Sequence, residues 1–317
     1  MMKRRNFIKN SMGAAIAGSS LMNGFNINQT EEDSPMTRNK LGNINSQHNI
    51  EINSIQDNAK RPSFLNKSYP IISGIFAGQT VKELIAEARN AEFEGAKGIT
   101  IDLFDLKPEF RNSDSLERVI NSVNLPFMFY FYRNDKWKDS SDDDRQELLL
   151  TAAGSGASMI DVMGDLYDPS SREITYNKEA IDKQKRLIDK IHEKGADVVM
   201  SSHTSSSLST EEVVEHMLAL EKRDPDVVKI VTNTNTEEEL AEAFATTMTL
   251  NRELKKPFIH LCGGKYSRLH RFVCPTLGVS ILFAVSNYSD RYGFGQPTIK
   301  SMKAVLDNIH WNINSVK

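Results

Sequence analysis

From Tyr69 onward, short apolar runs alternate with longer stretches whose apolar residues recur at helical spacing. Residues 70–76 read as a first strand, and residues 81–93 as a helix with Val81, Leu84, Ile85 and Ala88 on one face. Residues 98–103 predict a second strand and 116–123 a second helix. The run 127–131 (FMFYF) is apolar throughout, as expected of a strand covered on both faces. The alternation continues with strands at 159–162, 196–201, 227–231, 257–261 and 277–283. Helices are predicted at 145–153, 178–193, 210–222 and 237–254, with a closing helix after Thr298; Ser209 and Glu212 predict a capped start for the helix at 210. Eight strands alternating with helices over about 250 residues predict an α/β fold, a single (β/α)8 barrel. A doubly wound open sheet would carry a glycine-rich phosphate loop after its first strand, and Phe76-Ala77-Gly78-Gln79 is not one.

The pattern is different before residue 68. Lys3-Arg4-Arg5-Asn6-Phe7-Ile8-Lys9 precedes a mild apolar stretch from Met12 to Met22, the layout of an export signal that resembles the twin-arginine type. The expected organisation is therefore an export signal over 1–25, a flexible linker over 26–67 and the barrel over 68–317. The linker is rich in Asn, Ser, Gln and charge and holds too little apolar surface to offset the entropy of ordering. Such a leader implies export to the periplasm, with retention as a membrane anchor the alternative; no other integral span is expected.

Charge narrows the partners. With 39 basic and 42 acidic residues, a formal balance of −3, there is no broad basic field for nucleic acid, and a small molecule is the expected partner. The two cysteines, Cys262 and Cys274, read as buried thiols or as one bridge in an oxidising compartment. No Cys/His zinc spacing is apparent, and no metal or organic cofactor is expected.

Lys229 interrupts the apolar strand Asp226-Val227-Val228-Lys229-Ile230-Val231 and shares a face with Val227 and Val231. A partly desolvated lysine is biased towards the neutral amine, the form that attacks carbonyls; a strand-end lysine paired with a carboxylate is the plainer alternative. His203 directly follows the strand before it, at the carboxyl end where barrels carry their active sites. Gly263-Gly264-Lys265-Tyr266-Ser267-Arg268 follows the seventh strand, and Arg268 suits a bound anion or a surface ion pair. After the eighth strand comes Tyr292-Gly293-Phe294-Gly295-Gln296-Pro297, whose glycines suit a lid, with Gln296 either facing the site or starting the last helix.

These residues together resemble type I 3-dehydroquinate dehydratases. Ser201-Ser202-His203 is similar to that family's Ser-Asn-His strand end, and Val228-Lys229-Ile230 to its Lys-Ile strand. Phe258-Ile259-His260 with Gly264-Lys265-Tyr266-Ser267-Arg268-Leu269 resembles its Gly-x-x-Ser-Arg segment, and Gly295-Gln296 the Pro-Gly-Gln of its closing loop. The order and approximate spacing agree over residues 69–312.

The resemblance implies a Schiff-base mechanism without a cofactor, with Lys229 as the imine-forming residue and His203 as the general acid/base. It further implies Arg268 on the substrate carboxylate, Gln296 contacting substrate from the lid, and a homodimer. The implied activity is dehydration of 3-dehydroquinate, or a related cyclic hydroxy-keto acid, to a 3-dehydroshikimate-type product. Departures fall on substrate-reading positions. The family's Glu-x-Arg pair on the second strand is matched by Thr100-Ile101-Asp102, and its Phe-Arg strand end by Phe131-Tyr132-Arg133. Arg133 would substitute after a one-residue shift, while Lys136 lies near the place of a family glutamate. Met163 replaces an acidic residue, Thr204 follows His203, and Tyr292 replaces a serine. Two alternatives stay open beside the dehydratase: a barrel that binds a small carboxylate without turnover, and a class I aldolase-like enzyme.

Overall fold

The computed structural model describes residues 62–65 and 70–316. The expected export signal and nearly all of the expected linker lie outside the described residues.

Eight parallel strands follow the order β7-β6-β5-β4-β3-β2-β1-β8. They are β1 (Ile71–Ala77), β2 (Gly98–Asp102), β3 (Phe127–Tyr130), β4 (Met159–Met163), β5 (Asp197–His203), β6 (Val227–Asn233), β7 (Phe258–Gly263) and β8 (Ile281–Ala284). The β7–β8 seam is drawn together just before β8, where the Ser280 amide donates to the Phe258 carbonyl at 2.9 Å. The result is a nearly closed (β/α)8 barrel, as the alternation of apolar runs predicts.

The intervening helices are α1 (Val81–Glu94), α2 (Ser113–Ile120), α3 (Asp142–Gly154), α4 (Lys178–Glu193), α5 (Thr210–Glu221), α6 (Glu237–Glu253), α7 (Ser267–Val273) and α8 (Ile299–Ile309). Reciprocal capping boxes start α3 at Ser141, α5 at Ser209, α6 at Thr236 and α8 at Thr298. Their buried faces lie on strands that are themselves buried, so both sides of the sheet are apolar. No helix among the described residues is long and apolar enough to cross a membrane.

Three of the boundaries that differ from the sequence-based expectation have clear local reasons. Helix α2 begins at Ser113 rather than 116, because the Asn112 side chain accepts from the Ser115 amide and caps the earlier turn. Residues Cys274–Leu277 form a 3-10 turn ended by Gly278 at φ +106°, so β8 starts only at Ile281. The packed structure also begins inside the expected linker. Phe64 is fully buried in the core, and a Cβ on Gly98 would collide with its ring. Ser63 donates to Asp197, the first residue of β5, at 3.0 Å. Residues 62–65 thus cover the amino-terminal end of the strands, opposite the mouth that holds the candidate site.

Candidate active site

Lys229 occupies the middle of β6, between Ser201 on β5 and Ile259 on β7. Strand alternation turns it into the barrel with Val231, where it is 5% exposed. Its Nζ donates to the Tyr132 hydroxyl at 2.8 Å and to Asp161 Oδ2 at 3.2 Å. Tyr132 donates to the same Asp161 oxygen at 2.8 Å, and Ser201 donates to the other. A lysine on one strand, a carboxylate on β4 and a phenol just past β3 therefore form one closed hydrogen-bonded group. Burial pushes the Tyr132 hydroxyl well above its ordinary range, and the Asp161 carboxylate adds to that, so it stays a neutral phenol.

His203 ends β5 beside Val231, which is two residues beyond Lys229 on β6. Both side chains line one cavity of about 270 Å³ at the carboxyl ends of the strands, the position expected for a barrel active site. Glu173, from the loop between β4 and α4, accepts from both the His203 amide and Nδ1, each at 2.8 Å. Burial acts to raise the Glu173 carboxyl, but the His203 contacts and the Lys229 charge outweigh it and hold the group below its usual value. An ionised carboxylate only accepts, so Nδ1 carries a proton and Nε2 is left to serve the cavity. Glu173 has a left-handed backbone (φ +49°), and its carbonyl accepts from the Ser202 hydroxyl at 2.6 Å.

The cavity also contains two arginines that the sequence reading did not single out. Arg271 on α7 is buried; its Nε donates to the Cys262 carbonyl and its Nη1 to Gln296 Oε1, each at 2.9 Å. It forms no ion pair with a carboxylate among the described residues, so it presents positive charge and spare N–H donors to the cavity. Arg291, on the loop after β8, stacks 3.6 Å from the Phe104 ring centroid and ion-pairs with the fully buried Asp102. Burial lifts the Asp102 carboxyl to about 6 despite the opposing pull of Arg291. Beside this pair the Tyr130 and Tyr292 hydroxyls meet at 2.8 Å.

Of the residues singled out from sequence, Lys229, His203 and Gln296 line the cavity. Arg268 and Arg133 are not among the residues that line it. Arg268 sits almost one helical turn before Arg271, and its Nη1 donates to the Tyr288 hydroxyl and to the Phe294 and Gln296 carbonyls at 2.8–2.9 Å. Its guanidinium also stacks 4.1 Å from the Phe294 ring, so it fastens the closing loop from outside. Arg133 is committed to Asp142 at 3.0 Å and Asp165 at 2.9 Å, joining the start of α3 to the β4–α4 loop. Just past β3 the side chain that lines the cavity is Tyr132.

Cys262 and Cys274 are both buried free thiols. Among the described residues, His260, Cys262 and His270 bring potential metal donors within 4.8 Å of one another, an arrangement not anticipated from spacing. This group is not part of the cavity lining, and Thr232 and Thr247 hydrogen-bond its three side chains. Burial holds His260 down at about 3 and pushes His270 well below its ordinary value, so both rings are neutral and serve the packing of β7 against α6 and α7.

A sequence model described as Type I 3-dehydroquinase matches residues 75–313, from within β1 to beyond α8. The chain belongs to the type I 3-dehydroquinase family. A curated relative, the 3-dehydroquinate dehydratase of Alkaliphilus oremlandii (strain OhILAs), is 28% identical over 140 residues, 44% of this chain. That match spans about half of the relative, 53% of its length. Two solved 3-dehydroquinate dehydratases share the fold. The one from Geobacillus kaustophilus is 17% identical with a TM-score of 0.64, over 76% of this chain and 91% of that one. The one from Clostridium difficile, solved with covalently modified comenic acid, is 18% identical with a TM-score of 0.65, over 77% and 94%. Membership accounts for the barrel.

Proposed function

We propose that this type I 3-dehydroquinase family member is a Schiff-base hydro-lyase acting on 3-dehydroquinate or a related cyclic hydroxy-keto acid. The observation that carries the reading is the placement of a buried lysine and a carboxylate-oriented histidine on adjacent strands of one cavity. Lys229 attacks the ketone and loses water to form an iminium, which acts as an electron sink for the carbon beside it. His203 Nε2 removes a proton from that carbon, and the β-hydroxyl leaves as water with a proton returned by His203. Hydrolysis of the conjugated imine then releases the enone product and restores Lys229.

Arg271 and Gln296 supply the anchor for the substrate carboxylate, a role the motif alone assigned to Arg268. A buried guanidinium that ion-pairs with no carboxylate among the described residues is the natural counter-ion for it. The altered β2 positions, Thr100 and Asp102, and the loop-borne Arg291 point to a divergent member with its own substrate preference. The twin-arginine-like leader supports an exported, periplasmic enzyme.

The test is borohydride reduction of purified protein in the presence of 3-dehydroquinate, with the site of mass increase mapped by peptide analysis. A reduced adduct on Lys229, absent in Lys229→Ala, together with release of a conjugated enone is the expected result. Enone formation by Lys229→Ala at the wild-type rate would remove the imine from the mechanism.

A further inference from the structure

Imine chemistry at Lys229 requires more proton transfers than α-proton removal alone, and the geometry supplies a second carrier. Attack of the amine on the ketone forms the Nζ–C bond and pushes the carbonyl π pair onto oxygen. The nitrogen then holds one proton too many, and the oxygen one too few. His203 must also be ready for the α-carbon, so an independent group at the lysine would separate the two tasks. Tyr132 is such a group: its hydroxyl accepts from Nζ at 2.8 Å and donates to Asp161 at 2.8 Å.

We propose that Tyr132 is a catalytic residue of the imine-forming and imine-hydrolysing steps, its hydroxyl carrying the proton between Nζ and the substrate oxygen. The inference rests on the reading of Lys229 as the Schiff-base residue. In the forward direction the hydroxyl gives its proton to the developing alkoxide and takes one from Nζ, so the phenol ends as it began. The product is a neutral carbinolamine. That hydroxyl then departs as water with one further proton, from the His203 imidazolium, while the nitrogen lone pair forms the C=N bond and the iminium keeps one N–H. Hydrolysis runs the same transfers in reverse, and no oxidant or reductant is involved.

Three observations support this assignment over a purely structural role. Tyr132 lines the same cavity as Lys229 and His203. Its ring lies edge-on to His203, with centroids 4.9 Å apart, so the two proton carriers are neighbours. Asp161 bonds both Tyr132 and Lys229, and so stabilises whichever of the two bears the extra proton. The phenol is held far from ionisation by burial, which suits a hydroxyl that gives and takes in one motion and not a standing phenolate.

Tyr132→Phe keeps the ring and its packing and removes only the oxygen. Adduct growth on Lys229 is followed in single-turnover mixtures of full-length enzyme and 3-dehydroquinate quenched with borohydride, in H2O and in D2O. The proposal expects adduct formation in Tyr132→Phe to slow by about 100-fold or more, the usual scale for a lost proton carrier. It also expects the solvent isotope effect on that step to change and substrate affinity to stay near wild type. Asp161→Asn, which leaves the phenol but alters its acceptor, should slow the same step less. Adduct formation in Tyr132→Phe within about threefold of wild type, with an unchanged isotope effect, would overturn the role of Tyr132 while leaving the Lys229 imine intact. A wild-type enzyme that forms no adduct at all overturns the Schiff-base reading, and the Tyr132 role with it.

Discussion

Glu173 Oε2 receives both the backbone N–H and the Nδ1–H of His203, at 2.8 Å each. One carboxylate oxygen thereby fixes the position of the strand end and the tautomer of the ring. The partner comes from the β4–α4 loop and is held by its carbonyl to Ser202, directly beside His203.

Replacing Glu173 by Gln should therefore impair His203 without abolishing Lys229 chemistry. An amide is not an acceptor-only partner, and its NH2 group can select the wrong tautomer. Turnover is expected to fall by about 10- to 100-fold, the range seen when an orienting outer group is lost. Borohydride-trapped adduct should still form. Wild-type kinetics in Glu173→Gln would show that the contact is only structural.

Arg271 and Arg268 should separate cleanly in kinetics. Arg271→Ala removes the buried cation facing the cavity and is expected to weaken binding of a carboxylate substrate by about 2–5 kcal/mol, the range for truncating one side of a buried charge pair. Discrimination between a keto acid and its neutral amide should vanish with it. Arg268→Ala should leave that discrimination intact and instead loosen the closing loop that Arg268 fastens at Phe294 and Gln296. Isothermal titration with a matched acid and amide reads the difference. Discrimination lost in Arg268→Ala and kept in Arg271→Ala would reverse the two assignments.

The difference between these arginines shows where sequence reasoning stops. Strands buried on both faces are legible because their apolar runs have no polar face, and Lys229 stands out within one of them. His203 and Gln296 are legible from their places at strand and loop ends. The register of Arg268 against Arg271 depends on α7, a seven-residue helix whose start has no side-chain cap to announce it. Tyr130 and Tyr132 did carry a signal, since they alternate with Phe129 and Phe131 and put polar tips on one face of the β3 run. Glu173 carried none: its approach to His203 depends on how a loop folds over two strands, which no local pattern encodes.

Phe64 provides a stability test outside the site. It is fully buried against Gly98 at the amino-terminal end of the barrel, and it comes from a segment whose composition reads as linker. Phe64→Ala should cost about 3–5 kcal/mol by the usual scale for buried aromatic truncation. Chemical denaturation of the full chain should show this loss with little change in Lys229 adduct formation under native conditions. A cost below about 1 kcal/mol would mean that residues 62–65 contribute nothing to the barrel's core.

Asp102 and Arg291 should make the closing loop and the whole fold respond to pH in opposite directions. The buried Asp102 carboxyl titrates at about 6 in the folded protein, against about 4 when unfolded. Between those values the native state holds a proton that the unfolded chain has lost. Asp102 therefore contributes stability that is fully present below the unfolded value and is lost as pH rises through about 6. The tether to Arg291 has the other sign, because only ionised Asp102 offers a full counter-charge to the guanidinium that lines the cavity. Global stability, taken as wild type minus Asp102→Asn, should decline as pH rises across this window. Hydrogen exchange in the loop after β8 should meanwhile become slower. In Asp102→Asn the pH dependence of loop exchange should flatten. Loop protection that is independent of pH in the wild type, with the stability slope still present, would show that Arg291 does not depend on the Asp102 charge for its place in the cavity wall.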